Sequence, residues 1–261
     1  DGLLRIRPVG GIDPRVSVSK YVVCGDKRVP GVIGAMAIHL QSAEDRRRVL
    51  DWDGLYIDIG AKTKDEALSD CPEASYAYFD SACEPFGEGM VAAKALDDRA
   101  GCYNLIRLLE STYDRDIVCA FVTQEEVGLR GAMGAGFASD AETALVLEGT
   151  AANDLGDTPE ASHVCTPGKG VAVSFMDNAS ITDRALYAQI IGIAEKTGVA
   201  YQIKRGITGG NDAGAYQRSK AGKRACVLSV PCRYIHGPSS VASLKDIDAQ
   251  YQLAKAYIEN A

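Results

Sequence analysis

Histidine occurs only three times and tryptophan once in this 261-residue chain, and its eight cysteines include no Cys-x-x-Cys pair. Several of those cysteines sit inside apolar runs, as small buried hydrophobes do. The pattern therefore reads as a reduced cytoplasmic protein rather than a disulfide scaffold. Long apolar runs are missing too: none approaches the roughly 18 residues that span a membrane, so no membrane partner is expected. The formal net charge of −7 argues against a nucleic-acid surface, and no basic run is long enough to rescue that idea. Such a charge suits cationic partners or bound divalent metals. No internal repeat is visible.

What is present is ordinary globular composition, 46% hydrophobic and 24% charged, in a length that allows one large domain or two modest ones. The chain opens at Asp1 rather than methionine, in what reads as mid-strand (Leu3-Leu4-Arg5-Ile6), so a longer native chain is expected. Residues 1–6 read as the end of a strand of the main domain. Residues 7–88 read as an inserted β-rich, barrel-like module with two short helices, at 42–50 and from Thr63. It contains no catalytic cluster, which leaves packing, gating or assembly as its task.

From 89 to 261 strands and helices alternate. Helical periodicity covers 98–111, with Cys102, Leu105, Ile106 and Leu109 on one face. The run 117–122 reads as a buried strand, and 143–147 and 225–230 as two more, the last ended by Pro231. Asp183 to Thr197 is an amphipathic helix stopped by Gly198. The last helix opens on a Ser243–Asp246 capping box and buries Ile247, Tyr251, Ala254 and Ile258. The expectation is an α/β fold, a mostly parallel sheet flanked by helices.

Candidate chemistry gathers at strand and helix ends. Glu125-Glu126 follows the 117–122 run, and open α/β sheets bind ligands at the carboxyl ends of their strands. Two adjacent carboxylates cost free energy unless a cation or a shared proton offsets them. Asp97-Asp98 opens a helix, Glu148 follows the strand at 143–147, and His236 follows the strand at 225–230. Each has a plainer reading: a solvated turn, an N-cap pair, an exposed turn residue, a structural histidine; Gly209-Gly210-Asn211-Asp212 is most simply a tight turn. Together Asp, Glu, Glu and His form a mixed oxygen and nitrogen ligand set suited to zinc, cobalt or manganese, and the absence of cysteine from it favours a catalytic site.

Five segments occur in order: Lys94-Ala95-Leu96-Asp97-Asp98-Arg99, Gln124-Glu125-Glu126-Val127-Gly128-Leu129-Arg130-Gly131-Ala132, Leu147-Glu148-Gly149-Thr150, Gly209-Gly210-Asn211-Asp212-Ala213-Gly214 and Pro231-Cys232-Arg233-Tyr234-Ile235-His236. With them the chain resembles the glutamyl/leucyl aminopeptidase family of two-metal peptidases, which includes tetrahedral particles and some members labelled endoglucanase. Leu3 to Gly11 and Gly31 to Leu40 resemble its inserted domain. The resemblance implies a zinc-peptidase-like fold and two divalent ions, zinc or cobalt, with manganese also compatible. Asp97 would bridge the ions, across an Asp97–Asp98 peptide that is often cis. Glu126 and His236 would complete one ion's ligands, Glu148 would hold the other, and Glu125 would be the general base toward a metal-bridging water. Asp98, Asp212 and Arg233 would stand behind the ligands, the last two holding the His236 segment. Short peptides would be the substrates and a homo-oligomer, as large as a dodecamer, the assembly.

There are departures from the family. Its His-x-Asp metal motif is absent: His39 is followed by Leu40-Gln41 and His163 by Val164-Cys165. The missing ligand is expected in an upstream segment. Asn211 stands where threonine is frequent and Gly237 where serine is frequent. Two other functions compete with peptidase activity. One is a catalytically silent scaffold of the same fold; the other is glycoside hydrolysis, which also uses paired carboxylates but leaves His236 and Asp97 unexplained.

Overall fold

The structure, a computed structural model, describes residues 1–260. The chain divides into two compact units, Asp1–Cys83 with His236–Ser239, and Glu84–Ile235 with the chain from Ser240 on.

The first unit is an antiparallel sheet. Its strands are β1 (Leu4–Arg5), β2 (Tyr21–Cys24), β3 (Val29–Ala35) and β4 (Leu55–Asp58), then helix α1 (Lys64–Asp70) and β5 (Ala77–Phe79). The strands lie in the order β1-β4-β3-β2-β5, and every neighbouring pair is antiparallel. Val22, Cys24, Ile33, Leu55, Ile57 and Cys71 form its core. The α1 start is held from both sides: Thr63, the N-cap, accepts from the Glu66 N–H at 3.2 Å, and Glu66 accepts from the Lys62 N–H, one residue before the cap, at 2.7 Å. The helix expected at 42–50 is only a 3-10 turn, Asp45–Arg47. Three consecutive arginines after Asp45 offer no apolar stripe to bury.

The second unit contains β6 (Glu84–Phe86), β7 (Met90–Ala93), α2 (Leu96–Leu109), α3 (Arg130–Ala138), β8 (Thr143–Ala151), β9 (Val171–Ser174) and α4 (Arg184–Thr197). It continues through β10 (Tyr201–Ile203), α5 (Asp212–Gln217), β11 (Arg224–Arg233), β12 (Ser240–Ser243) and α6 (Leu244–Asn260). Its seven-stranded sheet runs β10-β9-β11-β12-β7-β6, with β8 on the other edge of β11. This is an α/β fold, but the sheet is mixed rather than mostly parallel. β8 runs parallel to β11 and β9 to β10, whereas β11 is antiparallel to β9 and β12, and β7 to β12 and β6. Connection length explains it: short links such as 87–89 and 234–239 can only join antiparallel neighbours, while parallel pairs need a crossover such as α4.

β11 is buried on both faces. Cys226 and Leu228 join Leu186, Ile190 and Leu253 of α4 and α6 in one core, and Ala225 and Val227 join Val146 and Ala213 in another. Helices therefore cover both sides, and each fully buried leucine or isoleucine contributes about 1.5–3 kcal/mol. A buried amide chain ties the layers together. Asn104 of α2 donates to the Gln250 side-chain oxygen at 2.9 Å, and Gln250 donates to the carbonyls of Glu148 at 3.1 Å and Leu228 at 2.6 Å.

α4 matches its sequence pattern in full, with Asp183 capping the Leu186 N–H and Gly198 at φ 72° closing it. Other readings need correction. The run 117–122 is not a strand, and Val118 and Phe121 are 71% and 48% exposed. An apolar run calls for burial but does not specify a partner edge. α2 turns Ala100, Gly101, Asn104 and Leu108 inward, leaving Cys102, Ile106 and Leu109 exposed. Pro231 does not end its strand: it lies between the β9 ladder at 227–229 and the β12 ladder at 232–233, where that edge needs no N–H. The Asp246 carboxylate accepts from the N–H groups of Gly168 at 2.6 Å and Gly170 at 2.8 Å, so it braces that loop instead of closing a capping box with Ser243. Among the described residues no helix is long and apolar enough to cross a membrane.

Candidate metal centre

The acidic residues singled out from the sequence come from four stretches of the second unit, around Asp97-Asp98, Glu125-Glu126, Glu148 and Asp212. Ala95, at φ 52°, turns the chain sharply into α2, and Asp97 and Asp98 follow in non-helical conformations across a cis peptide bond. The helix proper therefore starts behind the two carboxylates, not through them. Glu148 points from the middle of β8, in register with Ser229 of β11. Glu125 and Glu126 occupy a tight turn before α3: the N–H groups of Gly128 and Leu129 both donate to the Glu125 carbonyl, at 3.0 and 2.9 Å. Gly128 sits at φ 115°, which only glycine adopts without strain.

Oxygens of Asp97, Asp98 and Glu148 lie within 4.8 Å of one another, and an oxygen of Asp97 is equally close to one of Glu126. Asp97 is thus the shared member, reaching Glu148 on one side and Glu126 on the other. Two glycines make the approach possible. A Cβ on Gly149 would stand 2.8 Å from the Cβ of Asp97, and one on Gly101 would stand 2.3 Å from a carboxylate oxygen of Asp98. Each glycine N–H also donates to the aspartate it admits, Gly149 to Asp97 at 3.2 Å and Gly101 to Asp98 at 2.9 Å. Reading residue types alone missed both glycines, because only the register across the strand and helix makes them neighbours of the carboxylates. Replacing Gly149 by alanine is expected to displace Asp97 and weaken zinc binding by about 10–100-fold, as measured by calorimetric titration.

Burial and like charge dominate the electrostatics. The Asp98 carboxyl is pushed well above the usual range by burial, against the pull of the Gly101 N–H and with Asp97, Asp212 and Glu125 adding to the rise. Glu148 is raised first by burial, then by Asp98 and Asp97, with Glu125 adding to it. Asp212, the first residue of α5, is pushed up to about 6 by burial, and its Oδ1 is buried without a hydrogen-bond partner. Asn211 caps α5 by accepting from the Ala213 N–H and donates to Asp177 at 2.8 Å. Asp212 also acts on Asp98. Arg233 pairs with Asp154, in two contacts of 2.8 and 2.6 Å.

These shifts give a signed pH dependence. A carboxylate raised in the folded state keeps its proton while the unfolded chain loses its own, so the metal-free protein loses this stability as pH climbs from about 4 toward the folded value. For Asp212 that window closes at about 6. Thermal melts in chelator between pH 4 and 6 should show a downward slope that Asp212→Asn flattens; an unchanged slope would contradict this. Saturating metal should reverse the sign, because ligands must lose protons to bind.

His236 belongs to the first unit, three residues beyond the end of β11. Its Nδ1 lies 3.1 Å from the Gly11 carbonyl, which can only accept, so Nδ1 carries a proton and Nε2 is left facing away from that contact. A ring oriented in this way is arranged as metal ligands usually are. His163 is used differently, with its Nε2 against the Thr158 carbonyl at 3.0 Å.

Comparison with known proteins identifies the family. The family described as M42 glutamyl aminopeptidase matches residues 1–253. The chain is 30% identical to the lysyl aminopeptidase of Pyrococcus furiosus over 99% of its own length and 75% of that protein. It superimposes on an aminopeptidase from the archaeon Desulfurococcus kamchatkensis with a TM-score of 0.93 at 30% identity, covering 99% of this chain and 73% of that one. With the Pyrococcus horikoshii TET1 peptidase, which can assemble into a tetrahedron or a large octahedral shell, the TM-score is 0.85 at 34% identity, covering 100% of this chain and 78% of that one. The chain is a peptidase and belongs to the M42 glutamyl aminopeptidase family.

Proposed function

We propose that this chain is a metal-dependent aminopeptidase that removes N-terminal residues from short peptides, with two divalent ions gathered around Asp97. In this reading Asp97 would be shared between the two ions, Glu126 and His236 would complete the ligands of one, and Glu148 would hold the other. The observation that carries it is the close grouping of Asp97, Asp98 and Glu148 oxygens within 4.8 Å. Such a group repels itself when empty and is attractive around a dication. The orphaned buried Oδ1 of Asp212 supports the same fit. Carboxylate oxygens with a single imidazole suit zinc or cobalt, with manganese compatible.

When bound, the ions would supply Lewis acidity, making a water nucleophilic at neutral pH and polarising the scissile carbonyl. The chain's own work would fall to Glu125, as general base that takes the attacking water's proton and delivers it to the departing amine. Support for that role comes from the influence of Glu125 on both Asp98 and Glu148, as expected of a carboxylate lining the same site. Asp98 and Asp212 would set the negative field behind Asp97. We assign the chain to the cytoplasm and to a homo-oligomeric shell, with the first unit serving assembly or gating; the TET1 relative supports the shell.

The test is hydrolysis of a panel of aminoacyl anilides by the metal-loaded protein, beside the same anilides with acetylated amino groups. Turnover of the free amines only, abolished by chelator and restored by zinc or cobalt, is the expected result. Absence of turnover with metal bound would favour a catalytically silent scaffold, and chelator-resistant cleavage of glycosides would favour glycoside hydrolysis.

A further inference from the structure

Beyond its last backbone pairs, the parallel ladder of β8 and β11 is extended by side chains. The final register is Cys232 opposite Ala151, and the Ala152 N–H donates to the Cys232 carbonyl at 2.9 Å. Immediately past that point Arg233 and Asp154 meet. The guanidinium donates from Nε to Oδ1 at 2.8 Å and from Nη2 to Oδ2 at 2.6 Å, a two-pronged geometry that fixes orientation as well as distance. This is not a solvated surface pair. The Asp154 side chain is only 4% exposed and Arg233 34%. The Arg233 guanidinium holds the Asp154 carboxyl below its ordinary value. A carboxylate buried in this way is costly without its cation, so the pair is held together by its own surroundings.

The next three residues show what it holds. Tyr234 and His236 both have φ of 59°, a left-handed conformation that costs a non-glycine residue on the order of 1–3 kcal/mol. A segment with two such residues keeps its course only if its ends are fixed. Ile235 is packed against the core formed by Val230, Cys232 and Ala242, the Ser240 hydroxyl donates to the Tyr234 carbonyl at 3.3 Å, and the His236 ring is turned by Gly11. Arg233 is the anchor at the start of the segment. Its partner comes from the exit of β8, the strand that carries Glu148. One ion pair thus links the chain leaving Glu148 to the chain leading to His236.

We propose that Asp154 is a positioning residue for the metal centre: through Arg233 it sets the course of the 234–236 segment and thereby the aim of the His236 imidazole. This rests on His236 being a metal ligand, as proposed above. Lysine at 233 could supply the charge but not the two-pronged geometry, so Arg233→Lys should behave like the loss of Asp154.

The experiment is titration of the full chain with cobalt(II) alone, read by the visible d–d absorption of the bound ion, for wild type, Asp154→Asn, Arg233→Lys and Asp248→Asn. Asp248 pairs with Arg107 at 2.8 Å elsewhere in the fold and serves as a control for loss of an ion pair as such. The expected result is cobalt binding weakened by about 10–100-fold in Asp154→Asn and Arg233→Lys, with a changed absorption band, and no change in Asp248→Asn. Circular dichroism on each variant keeps folding separate, and if Asp154→Asn fails to fold, Arg233→Lys decides. Wild-type affinity and spectrum in a folded Asp154→Asn or Arg233→Lys would overturn the proposal while leaving the metal reading intact. If the wild-type chain itself binds no cobalt, the metal reading falls and this proposal falls with it.

Discussion

Replacing Glu125 by glutamine should cut anilide hydrolysis by about 10²–10⁴-fold while the protein still binds metal, the span that positioned general acid–base groups usually contribute. Glutamine keeps the shape of the side chain, and the turn beneath it is made by backbone, with the Gly128 and Leu129 N–H groups on the residue-125 carbonyl. The substitution therefore removes a proton acceptor and leaves the backbone turn beneath it in place. In the proposed ligand set Glu125 contacts no ion, so zinc affinity measured by calorimetry should stay within a few-fold of wild type. Loss of turnover together with loss of zinc would move Glu125 into the ligand set; full turnover would remove it from the chemistry.

Asp97→Asn should have opposite effects on the metal-free and metal-loaded proteins. With an oxygen close to both Glu126 and Glu148, Asp97 is the carboxylate that two ions would share. At a free metal concentration of about 100 times Kd, binding stabilises a native state by roughly 2.7 kcal/mol, which for a chain of this size raises Tm by about 5–10 °C. Asparagine should erase most of that rise and abolish turnover. Without metal the same substitution relieves repulsion on Asp98 and Glu148, both of which feel Asp97, so the metal-free variant should melt above metal-free wild type. Differential scanning fluorimetry with and without chelator reads both effects. A variant destabilised in chelator would mean that Asp97 is held by contacts worth more than the repulsion it causes.

How much of this was legible in the sequence depended on distance along the chain. Helix α4 could be read outright, because Asp183, the Leu186/Ile190/Ala194 stripe and Gly198 all speak within a few residues of one another. The ligand candidates were legible through the short motifs around Asp97, Glu125, Glu126 and Glu148 that carried the resemblance, and not through strand ends: Glu148 lies inside β8, and the run before Glu125 is no strand. The sheet's mixed direction was less legible, since it depends on how short links fold back and not on strand composition. The apolar run 117–122 looked like a core strand, yet the described residues provide no partner strand, and Val118 faces out. In α2 the inward stripe contains Gly101 and Asn104, which are wanted there for the Asp98 carboxylate and the Gln250 amide, so a stripe of apolar residues misidentified the face. Asp154 and Gly149 were invisible for the same reason. Their importance comes from partners 79 and 52 positions away, Arg233 and Asp97, which no local pattern announces.

The most direct measurement is anomalous diffraction from crystals of the protein soaked in zinc. Density at the zinc edge beside Asp97, contacted by Glu126 and His236 on one side and Glu148 on the other, is the predicted result. A fully loaded crystal with zinc only elsewhere on the chain, and ordinary solvent among Asp97, Asp98 and Glu148, would contradict the account.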